Sequence, residues 1–217
     1  YEEPIHVGSP VIVDSSGIGG IFWTAQDAID AGVNAKHYDI FAVKGTYSGF
    51  DTATGISFRC EGSPTYNFTA LGPVAFKGNS DYAVHLTGAN VRVENCSFYT
   101  APGGGGGGYA AVYGNPGAQQ YWFISNTIID SDGVGIDWRS NSGFIMNNYI
   151  QDADETCIQL QHYGDANVII GNNMRCGGSV DIHLISGATY NTVVGNITDK
   201  GITNSGIGNQ VSANAQF

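Results

Sequence analysis

Apolar and polar residues alternate with a period of two through most of this chain, the mark of strands with one face buried. Five times the alternation runs into an asparagine two places after an apolar residue: Val93-Glu94-Asn95, Ile124-Ser125-Asn126, Ile145-Met146-Asn147, Ile170-Gly171-Asn172 and Val194-Gly195-Asn196. These asparagines are 31, 21, 25 and 24 residues apart, and the longest gap holds six consecutive glycines, residues 103–108, which read as an inserted loop. A repeat that keeps its register across an insertion predicts a solenoid. Since the repeating unit has strand periodicity, the solenoid is a coil of parallel strands whose turns stack at about 4.8 Å. At that rise each asparagine amide reaches the carbonyl of the next, and Asn95, Asn126, Asn147, Asn172 and Asn196 are expected to form one inward ladder.

A second strand per coil aligns at residues 83–86, 135–138, 157–160 and 181–184. Alternation points Val84, Ile136, Ile158 and Ile182 inward with Leu86, Trp138, Leu160 and Leu184, and leaves His85, Asp137, Gln159 and His183 outside. The chain divides into a lead-in and cap over about residues 1–35, with a strand at residues 10–13. The coils follow over about 38–200, and a segment at 201–217 loses the pattern and either finishes the last coil or crosses to a neighbouring subunit. The one helix predicted spans residues 24–34. Thr24 serves as N-cap with Asp27 three places on, Ala28, Ile29 and Ala31 give an apolar face, and Gly32 marks its end. An open solenoid end exposes core and strand edges, so this helix is expected to cap it. Residues 38–47 read as a strand stopped by Gly45, followed by strands at 56–60, 74–76, 83–86 and 91–98.

The helix sequence AQDAIDAG at residues 25–32, followed by YDIFAVKGTYSG at residues 38–49, resembles the opening of the right-handed parallel β-helix proteins of the pectin lyase-like superfamily. There a capping helix leads into a first strand that ends in a Gly-x-Tyr turn. The later apolar-x-Asn coils are similar to that superfamily's repeats, and the matches span about residues 24–200. The resemblance implies an all-β, single-stranded right-handed parallel β-helix of about seven to eight coils, a single domain over residues 1–217 with an N-terminal capping helix. The superfamily includes polysaccharide lyases, glycoside hydrolases, epimerases, phage tailspikes and non-catalytic surface proteins, so it leaves activity open.

Composition narrows the partners. Eight basic residues stand against nineteen acidic ones, for a net charge of −11. Nucleic acid is thereby disfavoured, because neutralising phosphates takes clustered Lys and Arg. Strongly anionic polysaccharides are disfavoured too, unless a local basic patch overrides the average. No apolar stretch approaches the ~20 residues of a membrane span, so no membrane insertion is expected. The four cysteines, Cys60, Cys96, Cys157 and Cys176, lack metal spacing and are read as core thiols, Cys60 and Cys96 at nearly equivalent wall positions. The opening Tyr1-Glu2-Glu3-Pro4 carries no signal-peptide core, so either a signal has been removed or release does not use one, as for a virion protein freed by lysis. Three sequons begin at Asn67, Asn95 and Asn196, and the last two are discounted as ladder positions.

Three constellations bear on function. Asp130 and Asp132 in one turn, Asp152, Asp154 and Glu155 in the turn above, and Arg175 one coil further would stack. Carboxylates so placed suit glycoside hydrolysis or a Ca²⁺ site, and equally a solvated acidic turn. The outward row His85, Asp137, Gln159 and His183, with Arg139 and Gln161 beside it, offers hydrogen bonds to a glycan laid along the coils. A lyase would need a basic proton abstractor, for which only Arg139, Arg175 and Lys77 are present. Finally, the ladder register places Arg92, Phe123, Phe144, Ile169 and Val193 in one exterior column, a long apolar row that predicts packing about a symmetry axis. Tyr99, Tyr109, Tyr113, Tyr121 and Tyr163 are candidate sugar-stacking residues. The sequence therefore favours a non-catalytic surface or virion protein, a tailspike-like decoration or receptor-contact module. It is expected as a homotrimer on a virion surface or outside the cell, touching a protein or glycan partner and needing no cofactor. A polysaccharide hydrolase or lyase and a carbohydrate-binding module are the alternatives.

Overall fold

The computed structural model describes residues 11–14, 22, 24–35, 39–43, 45–61, 74–78, 82–100, 110–116 and 119–217. The lead-in before residue 11, the glycine run at 103–108, Tyr109 and the Asn67 sequon lie outside the described residues. Among the described residues the chain winds through three parallel sheets of nine, eight and seven strands, here sheets A, B and C. Sheet A stacks Val11–Val13, Asp39–Ala42, Ser57–Cys60, Val91–Glu94, Tyr121–Ile124, Phe144–Met146, Val168–Ile170, Thr192–Val194 and Gln210–Ser212. Sheet B stacks Gly45–Ser48, Val74–Gly78, Ser97–Thr100, Thr127–Ile129, Tyr149–Gln151, Asn173–Arg175, Ile197–Thr198 and Ala215–Gln216. Sheet C stacks Phe50–Asp51, Val84–Leu86, Ala110–Gly114, Val134–Trp138, Ile158–Leu160, Ile182–Leu184 and Ile202–Asn204. This is the expected right-handed parallel β-helix.

Inward columns from all three sheets fill the interior. Sheet A contributes Ile40, Phe58, Val93, Phe123, Ile145, Ile169 and Val193, all fully buried and in direct register. Sheet B adds Phe76, Phe98, Ile128, Ile150 and Met174, and sheet C adds Val84, Val112, Ile136, Ile158 and Ile182. The first coils are filled by rings, with Phe50 4.5 Å from Phe58 and Phe76 5.5 Å from Phe98, and the later coils by aliphatic chains. The helix Ala25–Ala35 runs through Gly32 and packs against the first strands of sheets A and C. Its predicted cap is present: the Asp27 amide donates to Thr24 Oγ1 at 3.1 Å, and that hydroxyl donates to Asp27 Oδ2 at 2.7 Å. At the far end Val211 continues the interior column of sheet A yet is 40% exposed.

The asparagine ladder exists, with two of its members misassigned. Its buried rungs are Asn126, Asn148, Asn172 and Asn196, followed by Asn214. From Asn148 onward each Nδ2 donates to the next Oδ1 at 2.9 Å. Asn95 and Asn147 are instead the left-handed residues just before a rung, with φ of 61° and 55°. Each corner from sheet A to sheet B contains an outward residue, a left-handed residue and a rung. The left-handed place is filled by Asn95, Ser125, Asn147, Gly171 and Gly195. Asparagine and glycine both tolerate positive φ, so asparagine suits two adjacent places and the tripeptide pattern mixes two registers.

A second ladder, absent from the sequence-based expectation, runs at the corner from sheet C to sheet A. There Asn167 Nδ2 donates to Asn191 Oδ1 at 3.1 Å and Asn191 Nδ2 to Asn209 Oδ1 at 3.0 Å. Asn209 and Asn214 show that residues 201–217 do not lose the pattern but form a further coil. Gly45 likewise does not stop a long strand; it opens the first strand of sheet B. The cysteines are not core thiols. Cys60–Cys96 and Cys157–Cys176 are disulfides, and the first continues the rung column downward, the Cys96 amide donating to Asn126 Oδ1 at 2.9 Å.

Candidate functional site

The outer face of sheet C gathers the polar row that alternation placed there. In direct register run Asp51, His85, Tyr113, Asp137, Gln159, His183 and Thr203. Their neighbours Val84, Leu86, Ile136, Trp138, Ile158, Leu160, Ile182 and Leu184 are all buried inward, as expected. That strong inward set fixes the register, because a one-residue slip would put leucine and tryptophan in water.

At the centre Asp137 is only 5% exposed. Its Oδ2 accepts from Arg139 Nη2 at 2.8 Å and from Gln161 Nε2 at 3.1 Å, while Arg139 Nε reaches Oδ1 at 3.4 Å. The bond to Asp137 is the chief cause holding the Arg139 guanidinium above its ordinary pKa, against the opposing effect of burial. A fixed guanidinium–carboxylate pair of this kind is directional and stronger than a neutral hydrogen bond. Arg139 Cζ also sits 5.1 Å above the Tyr113 ring, within cation–π range.

Towards the N-terminal coils the network meets an aromatic platform. The Tyr82 and Tyr113 rings stack with centroids 4.7 Å apart and planes 18° apart. His85 lies 5.2 Å from Tyr113 and 5.5 Å from Tyr82, and its Nδ1 is 3.3 Å from Asp51 Oδ1. His85 Nε2 is buried without a hydrogen-bond partner. Tyr82 and Asp51 were not among the predicted residues, and Tyr113 was expected as a sugar-stacking candidate but not placed in this row. Tyr113 comes from Ala110–Gly114, a strand just after the glycine run and so without a clear repeat spacing. Its alternation with buried Val112 was the available signal. His85 and His183 stand four register steps apart, about 19 Å at the usual strand spacing, and do not meet.

The other predicted constellations fare differently. Asp130 and Asp152 are left-handed corner residues with φ of 54°, both exposed, and Asp154, Glu155 and Arg175 are exposed as well, with Asp132 half-buried. The turns do stack, the Asp152 amide donating to the Arg175 carbonyl at 3.0 Å. Among the described residues, only Cys157, Cys176 and Asp181 place three His, Cys, Asp or Glu donor atoms within 4.8 Å of one another, so Asp130, Asp132, Asp152 and Asp154 do not converge in this way. Beside them, burial first and Asp152 second push the Tyr149 phenol up to about 12.

The predicted exterior column is corrected by one residue. Phe123, Ile169 and Val193 are fully buried core, whereas Arg92 and Phe144 do face outward. The cause is the mixed tripeptide register described above. Tyr121 is also core: its hydroxyl donates to the carbonyls of Leu86 and Gly88 at 2.8 and 3.1 Å, and burial raises its pKa. Tyr163 is exposed, and Tyr99 and Tyr113 are half-buried.

Stacked parallel sheets, corner ladders and a polar outer face on sheet C define a right-handed parallel β-helix protein of the pectin lyase-like kind. More narrowly, residues 12–212 match the family described as "Periplasmic copper-binding protein (NosD)", and the chain belongs to that family. No curated protein sequence matches it. Among solved structures it is similar to the alginate lyase from Paenibacillus sp. str. FPU-7, with a TM-score of 0.64 and 18% identity, covering 88% of this chain and 71% of that one. It is also similar to the pectin methylesterase from Aspergillus niger in deglycosylated form, with a TM-score of 0.62 and 13% identity, covering 94% and 86%. At these identities the likeness is one of fold. No helix among the described residues is long and apolar enough to cross a membrane.

Proposed function

We propose that this chain is an extracytoplasmic β-helix protein that binds an uncharged stretch of polysaccharide along the outer face of sheet C. The observation that carries the proposal is the Tyr82–Tyr113 stack continuing into the Asp137–Arg139–Gln161 network on adjacent coils. The outward edges of the stacked tyrosines give apolar contact and their hydroxyls hydrogen bonds, and the fixed carboxylate, guanidinium and amide groups supply further hydrogen bonds for sugar hydroxyls. The similar solved structures are named for alginate and pectin, which supports a polysaccharide ligand. The charge argues for a neutral one: Arg139 is already neutralised by Asp137, and the chain carries −11 overall. The family description and two disulfides support an oxidising compartment outside the cytoplasm. A virion-decoration role gains no support from that description.

Binding without turnover fits the carboxylates on this face. Asp51 and Asp137 stand three register steps apart, about 14 Å, beyond the roughly 5–9.5 Å separation of paired glycosidase carboxylates. Copper, which the family description names, does not fit the described residues. Soft or imidazole donors would be needed, and the single three-donor cluster has both sulfurs joined to each other, while His85 and His183 are four coils apart.

Calorimetry on a panel of neutral and anionic oligosaccharides tests the proposal. A neutral oligosaccharide should bind, and Tyr113→Ala should weaken it by roughly 2–13-fold, the worth of a lost ring contact. Binding confined to uronates, or undiminished in Tyr113→Ala, would remove the proposal. Reducing-end release abolished by Asp137→Asn, or by Asp154→Asn with Glu155→Gln, would establish an enzyme instead.

A further inference from the structure

Sheet A has an outer face unlike the other two. In the later coils Trp122, Phe144 and Val168 form one outward column and Ile124, Met146 and Ile170 the other, all half-buried. With the inward column between them, these strands are apolar on both sides. Parallel strands of that composition are ordinarily covered on both faces. The Trp122 and Phe144 rings stack with their planes 7° from parallel and their centroids 6.2 Å apart, so the outward apolar column is regular from coil to coil there.

The charges point to what covers it. The outward positions of the earlier coils carry Asp39 paired with Arg59 and Glu94 paired with Arg92, each at 2.6 Å. The face is therefore neutral on a chain of net charge −11, and two copies repel least when they meet across it. A face made by a single sheet is buried whole by one partner presenting the same face, whereas a threefold arrangement would divide it between two neighbours. We propose that the outer face of sheet A binds a second copy of this chain, forming a twofold-symmetric homodimer. Nine strands give a face of about 40 Å by 13 Å, about 500 Å² per copy. That is near the lower limit for a specific interface, which suits a weak, reversible dimer. Two sheet C faces per particle would then engage one polysaccharide with gain in avidity.

Sedimentation equilibrium over about 1–200 μM tests this. The expected result is a monomer–dimer equilibrium whose Kd rises at least about tenfold in Phe144→Glu, a charge forced into the contact, with thermal unfolding little changed. Should Phe144→Glu fail to fold, Thr192→Arg carries the test, since Thr192 is a half-exposed polar residue in the same column. Gln159→Glu, on sheet C, should leave the equilibrium unmoved. A monomer at every concentration, as when another part of the chain or a different protein covers the face, would overturn the proposal. So would a trimer, or a dimer indifferent to both sheet A substitutions.

Discussion

Two adjacent asparagines should behave oppositely. Asn148 is a ladder rung, fully enclosed: its Oδ1 accepts from the Asn126 amide at 2.9 Å, and its Nδ2 donates to the Phe123 carbonyl at 3.0 Å and to Asn172 Oδ1 at 2.9 Å. In Asn148→Ala the Asn126 amide loses that acceptor inside the wall, costing about 1–3 kcal/mol, and two further bonds worth about 0.5–1.5 kcal/mol each disappear. The sum is about 2–6 kcal/mol, centred near 4, which lowers Tm by roughly 8–16 °C for a chain of this size. Asn147 is exposed, with φ of 55°, where the equivalent corners carry Gly171 and Gly195. Asn147→Gly therefore relieves a left-handed residue and should change stability by less than about 0.5 kcal/mol. Urea and thermal unfolding followed by circular dichroism measure both variants. If Asn147→Gly destabilises as much as Asn148→Ala, the assignment of rung and corner is wrong. If Asn148→Ala falls within about 1 kcal/mol of the parent, the ladder does not carry the stability assigned to it.

Sheet A offers a second test of register. Phe123→Ala should cost about 3–5 kcal/mol as a core cavity, while Phe144→Ala, on the outer face, should cost under about 1 kcal/mol in the dilute monomer; comparable losses would contradict the corrected column. Alkali should also weaken the fold. The Tyr149 phenol is pushed up to about 12 and Tyr121 is raised as well, both chiefly by burial. Below the unfolded tyrosine pKa of about 10 both states keep the proton and the contribution is complete. Above it the unfolded chain ionises first, so stability declines as pH climbs from about 10 towards 12. Urea midpoints across that window should fall less steeply in Tyr149→Phe, and an unaltered slope would show that this phenol ionises as readily folded as unfolded.

How much of this was legible in the sequence differs from sheet to sheet for physical reasons. Sheet C was read correctly because its strands are amphipathic: Ile158-Gln159-Leu160 and Ile182-His183-Leu184 permit one register only. Sheet B was largely invisible. Its later strands are two or three residues long, as at Tyr149–Gln151 and Ile197–Thr198, too short to display alternation. The last coil was missed because Asn196 and Asn214 are 18 residues apart, where earlier rungs are 22 or 24 apart. Cys60 and Cys96 were placed at nearly equivalent wall positions, but spacing alone did not reveal the bridge that joins them across 36 residues.

Sheet A is the informative case, since its residues were misassigned while its character was not. Tyr121-Trp122-Phe123-Ile124, Phe144-Ile145-Met146 and Val168-Ile169-Ile170 are apolar at every position, so either register leaves an apolar outer column. The one-residue slip moved Phe123, Ile169 and Val193 into the core and brought Trp122, Val168 and Ile170 out, with no change in the chemistry of the surface. Hydrophobic patterning finds register by contrast between the two faces of a strand, and these strands have none. What they do announce is a sheet apolar on both faces, and one of those faces is not the core. The same lack of contrast that defeated the assignment of individual residues is thus the reason to expect a partner at sheet A, and the amphipathic strands that made sheet C legible are the reason to look for a ligand there.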